Sequence, residues 1–318
     1  RWGRVIEPRW KRRPGTLCPP RPYLLEQFQQ KCAAVLRPEL RHLHNTECAM
    51  PVWLLILVLA ALLSLVMALA AEIALRSGKS GWIDAIWSYS VGWSGVAAAL
   101  VPLAGAESTT PRQWLVAALV AAWSLRLGSH IVARTRSGGD DPRYAELKRQ
   151  WGDNKRPRLF LFLQIQAACA LVLALAVMAA ARNPAPALGL QDWLGVAILI
   201  IAVVGEGIAD RQLRAFAKSP ANKGKVCDTG LWAHSRHPNY FFEWLGWFAY
   251  VAIALDVSGA YPWGFAALAA PLLMYWLLVH ASGIPPLEAV MLASRGDAYR
   301  AYQARVSPFF PLPPKRAS

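Results

Sequence analysis

The chain is 318 residues long, 55% hydrophobic and only 17% charged, with 15 Trp and a formal net charge of +15. A soluble domain carries about a quarter charged residues, so too few charges are present to coat a water-facing surface. No nucleic-acid-binding motif accompanies the basic excess. Cytoplasmic loops of a membrane protein account for it instead, which argues against a nucleic-acid partner.

Residues 1–49 hold ten Lys/Arg and six Pro with little apolar periodicity, a composition that predicts a disordered basic segment. Met50 stands directly before PVWLLILVLAALLSLVMALAA, so 1–49 is expected to be an extension upstream of the natural start. Seven apolar segments follow, several near or above the ~18 residues that span a bilayer. They run from about Val52 to Leu75, Trp82 to Leu103, Trp114 to Ala133, Leu159 to Ala181, Trp193 to Ala209, Tyr240 to Leu255 and Trp263 to Ser282. The polar run ADRQLRAFAKS after the fifth reads as the same helix leaving the membrane. The prolines of RNPAPALGLQD cannot continue the fourth helix, and GIPP breaks the seventh. Beyond it, Leu287, Val290 and Met291 fit a short amphipathic interfacial helix. The expected fold is all-α: residues 50–318 form one polytopic membrane bundle of about seven transmembrane helices, without an internal repeat or a soluble domain.

Loop charge sets the expected orientation. Most Lys and Arg fall after helices three and five and in the tail after helix seven, whereas GAESTTPR, RNPAPALGLQD and DVSGAY hold almost none. The positive-inside rule then places the start of helix one outside and the C-terminus in the cytoplasm. Ten basic residues ahead of helix one would have to cross the membrane, a second reason to set 1–49 apart. The five cysteines are scattered without metal-ligand spacing, so no metal site is expected.

The informative polar residues gather at the cytoplasmic ends. Arg126, His130 and Arg134 are spaced four apart and line one helix face; Arg126 lies well inside an apolar run, where an ionisable group marks a functional site. Glu206, Asp210 and Arg214 repeat in the same way. Their carboxylates suit pairing within the helix or hydrogen bonds from a ribose or adenine. The polar stretch NKGKVCDTGLWAHSRHPNYFFE brings Asn222, Lys223, Arg236, His237, Asn239, Tyr240 and Glu243 to the mouth of helix six. Pro238 fixes its own φ and moves His237 out of the α region, so it suits the first turn of that helix. A helix start with Arg236 and Lys223 nearby favours a phosphate-bearing ligand. Glu288 and the tyrosines of the C-terminal segment are placed either to close over a cofactor or to meet head groups.

SRHPNYxxE resembles the signature of the steroid 5-alpha-reductase and sterol-reductase group of membrane enzymes. A looser RHPxY followed by Glu occurs in isoprenylcysteine carboxyl methyltransferases. With KSGWIDAIWSYSVGW, LRLGSHIVARTRSGGDDPRYAELKRQWG and GIPPLEAVMLASRGDAYRAYQARVSPFFP, the set resembles the bacterial branch of uncharacterised membrane proteins related to the steroid enzymes, over nearly all of residues 50–318. The glycine-rich dinucleotide fingerprint is absent, so an NADPH site would not be a Rossmann fold.

That resemblance implies a seven-helix bundle in the bacterial inner membrane that binds NADPH from the cytoplasmic side. Hydride would pass to a polarised carbon–carbon double bond of a lipid-like substrate (a steroid, sterol or isoprenoid) entering from the bilayer. By motif position, Asn239 and Glu243 would face the nicotinamide, and Asp210 would be the helix-five cofactor carboxylate. Arg126 and His130 would be the helix-three polar positions, and Glu288 a C-terminal cofactor contact. Arg236 and His237 belong to the same motif; Arg134, Arg214, Asn222 and Lys223 complete the expected cofactor set. The Gln-Glu pair by which the steroid enzymes engage an enone is missing, with only Glu72 and Asp84 in the first two helices. Tyr240 or His237 is then the expected proton donor, since both can donate to a developing enolate; with Glu243 they form the expected catalytic set, Tyr240 also counting among the cofactor contacts. The competing expectations are an S-adenosylmethionine-dependent methyltransferase of the isoprenylcysteine or phospholipid type and a non-catalytic lipid-binding membrane protein.

Overall fold

The computed structural model describes residues 50–104, 108–138, 140–256 and 258–315; the expectation for residues 1–49 lies outside them. Met50–Ser318 forms one compact unit. Among the described residues it is all helical, with only two isolated bridges, Met50 with Leu103 and Ser235 with Ser307.

All seven apolar segments lie in helical stretches. The long ones are α1 (Val52–Ser77), α2 (Gly81–Leu100) and α3 (Pro111–Ser137), then α5 (Lys155–Ala181) and α6 (Leu190–Lys218). α4 (Pro142–Trp151) precedes α5 through the turn Gly152–Asn154. The sixth segment is two short helices, α7 (Pro238–Gly246) and α8 (Phe248–Ala254). The seventh is a 3-10 stretch (Pro262–Leu268), α9 (Ala269–Trp276) and a π turn (Leu277–Ala281). α10 (Ile284–Arg295) and α11 (Asp297–Arg305) close the chain.

Five helical stretches are long and apolar enough to cross a membrane: Val52–Ser77, Pro111–Ser137, Pro142–Ala181, Leu190–Lys218 and Pro262–Arg295. α2 and the α7–α8 pair are not among them. α2 carries Asp84 and three serines along its length, and α7 and α8 have only nine and seven residues. The first half of the expectation for the helix-five exit holds, because α6 continues unbroken from its apolar run through ADRQLRAFAK.

Small residues let these helices approach closely, as in membrane bundles where lipid offers no hydrophobic drive. A Cβ at Gly92 would lie 2.1 Å from the Ser124 hydroxyl, so α2 and α3 touch there with no room for a side chain. Ser124 uses that approach to donate to the Ser88 carbonyl at 2.9 Å. Across the centre, Leu63, Met67, Leu159, Leu163, Leu173, Trp247 and Tyr250 pack in one continuous core.

The end of the bundle opposite Arg134 is locked by a buried ion pair. Arg112, in the first turn of α3, reaches both carboxylate oxygens of Asp192 at 2.7 and 2.9 Å. Its remaining N–H groups donate to the Asn183, Ala185 and Ala187 carbonyls of the Pro-rich turn. The side chains are only 2% and 0% exposed. A basic residue that the sequence places in a loop therefore works as an internal clamp.

Candidate functional site

α3, α6 and α7 meet over a set of buried ionisable groups. Glu206, Asp210 and Glu243 are all buried. Arg126 lies between the first two, ion-paired with Glu206 and with Asp210 at 3.0 Å. His130, one turn on, places Nε2 3.6 Å from Asp210 Oδ2. From α7, the Asn239 amide approaches the other Asp210 oxygen at 3.5 Å. Glu243 lies one turn deeper and accepts from two indoles, Trp123 at 2.9 Å and Trp247 at 3.2 Å. Those indoles meet edge to face with centroids 5.0 Å apart.

The local sequence explains this convergence. Pro238 opens α7 as its first helical residue, with His237 before it at φ −138° and ψ 60°. Asn239 and Glu243 then fall four apart on one face. The preceding loop is tied along α6: the Trp232 indole donates to the Ala209 carbonyl at 3.0 Å, and the Leu231 N–H donates to Gln212 at 2.9 Å. Gly230 turns the chain there at φ +62°, and a Cβ would collide with Gln212. This packing is what brings Asn239 to Asp210.

A second group forms between the same loop and the C-terminal helices. Arg236 grips Glu288 with two nitrogens, at 2.7 and 3.2 Å. It also donates to the Gln303 and Val306 carbonyls at 3.1 and 2.8 Å. His237 Nε2 lies 3.0 Å from Glu288 Oε1, and Gln303 donates to the other oxygen at 2.7 Å. Backbone bonds run alongside, from Arg236 N–H to Ser307 O and from Leu312 N–H to His234 O. Burial pushes the His237 imidazole below its ordinary range, against the pull of Glu288. Its ring stacks on Tyr240, centroids 5.5 Å apart and 13° from parallel.

A third group ties the GGDDPRY segment to α2. Asp84 accepts from Arg143 at 2.5 Å and from the Tyr144 hydroxyl at 2.7 Å. Arg143 also pairs with Asp141 at 2.9 Å. Asp140 accepts from the Ser80 N–H and pairs with Lys148, both at 2.7 Å. Burial opposes the Asp141 charge, but Arg143 and Arg134 outweigh it and hold the carboxyl below the usual range.

The expected site residues thus separate. Arg126, His130, Asp210, Asn239 and Glu243 converge, and Glu206 joins them. Arg236, His237 and Glu288 converge elsewhere, as a strap for the C-terminal segment, with Tyr240 stacked beside it. Arg134, Arg214 and Lys223 are exposed, Arg134 lying 3.5 Å from Asp141. Asn222 caps the end of α6 through the Phe216 carbonyl at 3.1 Å. Glu206 was legible four residues before Asp210; the two indole donors to Glu243 had no sequence signal. Among the described residues, no three His, Cys, Asp or Glu side chains are grouped to hold a metal ion.

A family model matches residues 70–306, from within α1 to the end of the C-terminal helices. The chain belongs to this family, described as protein of unknown function (DUF1295). The match takes in all three polar groups described above. No curated protein and no solved structure matches the chain.

Proposed function

We propose that this chain is an integral-membrane reductase that uses NADPH to saturate a carbon–carbon double bond of a lipid-like substrate. The observation that carries the reading is the surplus of buried acceptors around Arg126. Two carboxylates, Glu206 and Asp210, share one guanidinium, with His130 and Asn239 beside them and Glu243, held by two indoles, one turn deeper. Unpaired buried charge is costly, and a ligand rich in hydroxyl and amide donors relieves it. The ribose and carboxamide of a nicotinamide nucleotide are such donors. Its phosphates would fall to the exposed Arg134, Arg214 and Lys223 at the α3 and α6 ends, since Arg236 is already committed to Glu288.

NADPH bound here would supply hydride. The chain's part is to position donors and acceptors, exclude water and hold the proton. Asp210 and Asn239 orient the ligand, while Glu243 is fixed by Trp123 and Trp247. Tyr240, stacked on His237, is the proton donor of this reading, since His237 Nε2 is taken by Glu288. The finer topology belongs to the same proposal: α2 and α7–α8 complete seven spans, with the start of α1 outside and the site open to the cytoplasm of a bacterial inner membrane.

The same carboxylate surplus favours a second reading, an S-adenosylmethionine-dependent methyltransferase, because sulfonium and ammonium groups are cationic. Thermal unfolding of the purified protein in detergent separates the two. A ligand that binds the folded state raises the melting temperature by mass action. Stabilisation by NADPH but not by S-adenosylmethionine is the expected result; the reverse pattern contradicts the reductase reading.

A further inference from the structure

One end of the α1–α5 interface carries more cations than carboxylates among the described residues. The two helices run antiparallel in a fixed register. The Ser64 hydroxyl donates to Gln164 at 2.6 Å, and Gln164 donates back to the Ser64 carbonyl at 3.3 Å. Two turns further on, Glu72 lies 3.7 Å from Arg156 and accepts from Arg76 at 2.6 Å. Arg76 and Arg156 both stand at this carboxylate, Lys155 and Arg158 flank Arg156 in the chain, and all four are exposed. Arg76 and Arg156 are 80% and 70% exposed, against 41% for Glu72.

Helix stability does not explain these cations. α5 begins with Lys155 and Arg156 and has no acidic residue in its first turn, the reverse of what its dipole favours. Directly below them, toward the middle of both helices, the exposed side chains are apolar: Leu65 and Leu69 on α1, Phe160 and Leu161 on α5. Phe160 lies one turn from Arg156, and Leu69 just under one turn from Glu72. Cationic heads above an apolar strip match one ligand chemistry, a phosphate joined to hydrocarbon chains.

We propose that this end of the α1–α5 interface is a binding site for an anionic phospholipid. Its phosphate meets Arg76 and Arg156, and its acyl chains lie along Leu65, Leu69 and Phe160. Arginine forks match phosphate geometry. Inorganic phosphate would satisfy the cations and leave the apolar strip uncovered. A zwitterionic lipid brings a cation of its own into a cationic cluster. Glu72 is the counterweight: it orders Arg76 and Arg156 while weakening the field they present. The site is separate from the cofactor reading, and its test does not involve NADPH.

The test is native mass spectrometry of the full chain in mild detergent, titrated with phosphatidylglycerol and phosphatidylcholine of identical acyl chains. Wild type is expected to retain phosphatidylglycerol preferentially. The double variant Arg76→Gln/Arg156→Gln is expected to lose affinity by about five-fold per cation removed. Glu72→Gln is expected to bind more tightly than wild type, an effect that a merely unfolded variant cannot produce. Melting temperatures in phosphatidylcholine establish that both variants are folded. Equal retention of the two lipids by wild type, or unchanged retention by the double variant, overturns the proposal. So does displacement of phosphatidylglycerol by inorganic phosphate at matched concentration.

Discussion

Arg126 on α3 reaches Asp210 on α6 at 3.0 Å while also pairing with Glu206 one turn away. This one guanidinium bridges two carboxylates across a helix interface, so its loss strands both. Arg126→Ala is expected to destabilise the protein by roughly 3 kcal/mol, the low end for a broken buried pair, because Arg126 is one-fifth exposed. Arg126→Lys should recover part of the loss. Unfolding curves in one detergent check both, and a melting point unchanged in Arg126→Ala would show that the carboxylates are neutralised otherwise.

Arg112 and Asp192 give the matching experiment at the far end of the bundle. Asp192→Ala leaves a buried guanidinium with carbonyl partners only, and is expected to cost about 3–5 kcal/mol. Ligand binding at the Asp210 site should survive, since the two clusters share no residue. A parallel loss of ligand binding in a variant that still folds would mean that the ends are coupled.

The Arg236–Glu288 pair is expected to hold the C-terminal segment down. Arg236→Ala and Glu288→Ala should each speed proteolysis after residue 284, and the double variant should be little worse than either. A double-mutant cycle is expected to return a coupling of about 1–3 kcal/mol. Additive effects would show that the two side chains act independently.

His237 makes acid stability predictable in sign. Its folded pKa is depressed by burial, so the unfolded chain binds the proton more readily. Stability is therefore full above the unfolded value of about 6.5 and falls as pH drops below it. Asp141, also depressed, adds a second loss as pH falls below about 3.9. Replacing His237 by Gln should flatten the upper step and leave the lower one. A variant whose melting temperature still drops between pH 6.5 and 5 as in wild type would assign that step to another group.

Much of this architecture was legible in the sequence because periodicity and loop charge report on helices directly. The seven apolar segments, the helical run through ADRQLRAFAKS and the start of α7 at Pro238 all follow from local rules. What each polar side chain does was less legible, because pairing is a long-range property. Arg236 and Glu288 lie 52 residues apart, and nothing local signals that the two pair with one another. Arg112 looked like the last residue of a neutral loop, and only the fold brings Asp192, 80 residues away, against it. Arg126, Asp210 and Asn239 stood out because a charge or amide in an apolar run demands a partner. Their convergence could be expected, but the share taken by Glu206 could not.

Equilibrium binding of NADPH to the purified protein tests most directly whether the Asp210 cluster holds a nicotinamide nucleotide. Wild type and the Asp192→Asn control are expected to bind alike. Asn239→Ala and Asp210→Asn, both still folded, are expected to bind at least about ten-fold more weakly, the equivalent of about one charge-assisted hydrogen bond. NADPH affinity unchanged in both site variants, or no NADPH binding by wild type, would contradict the account.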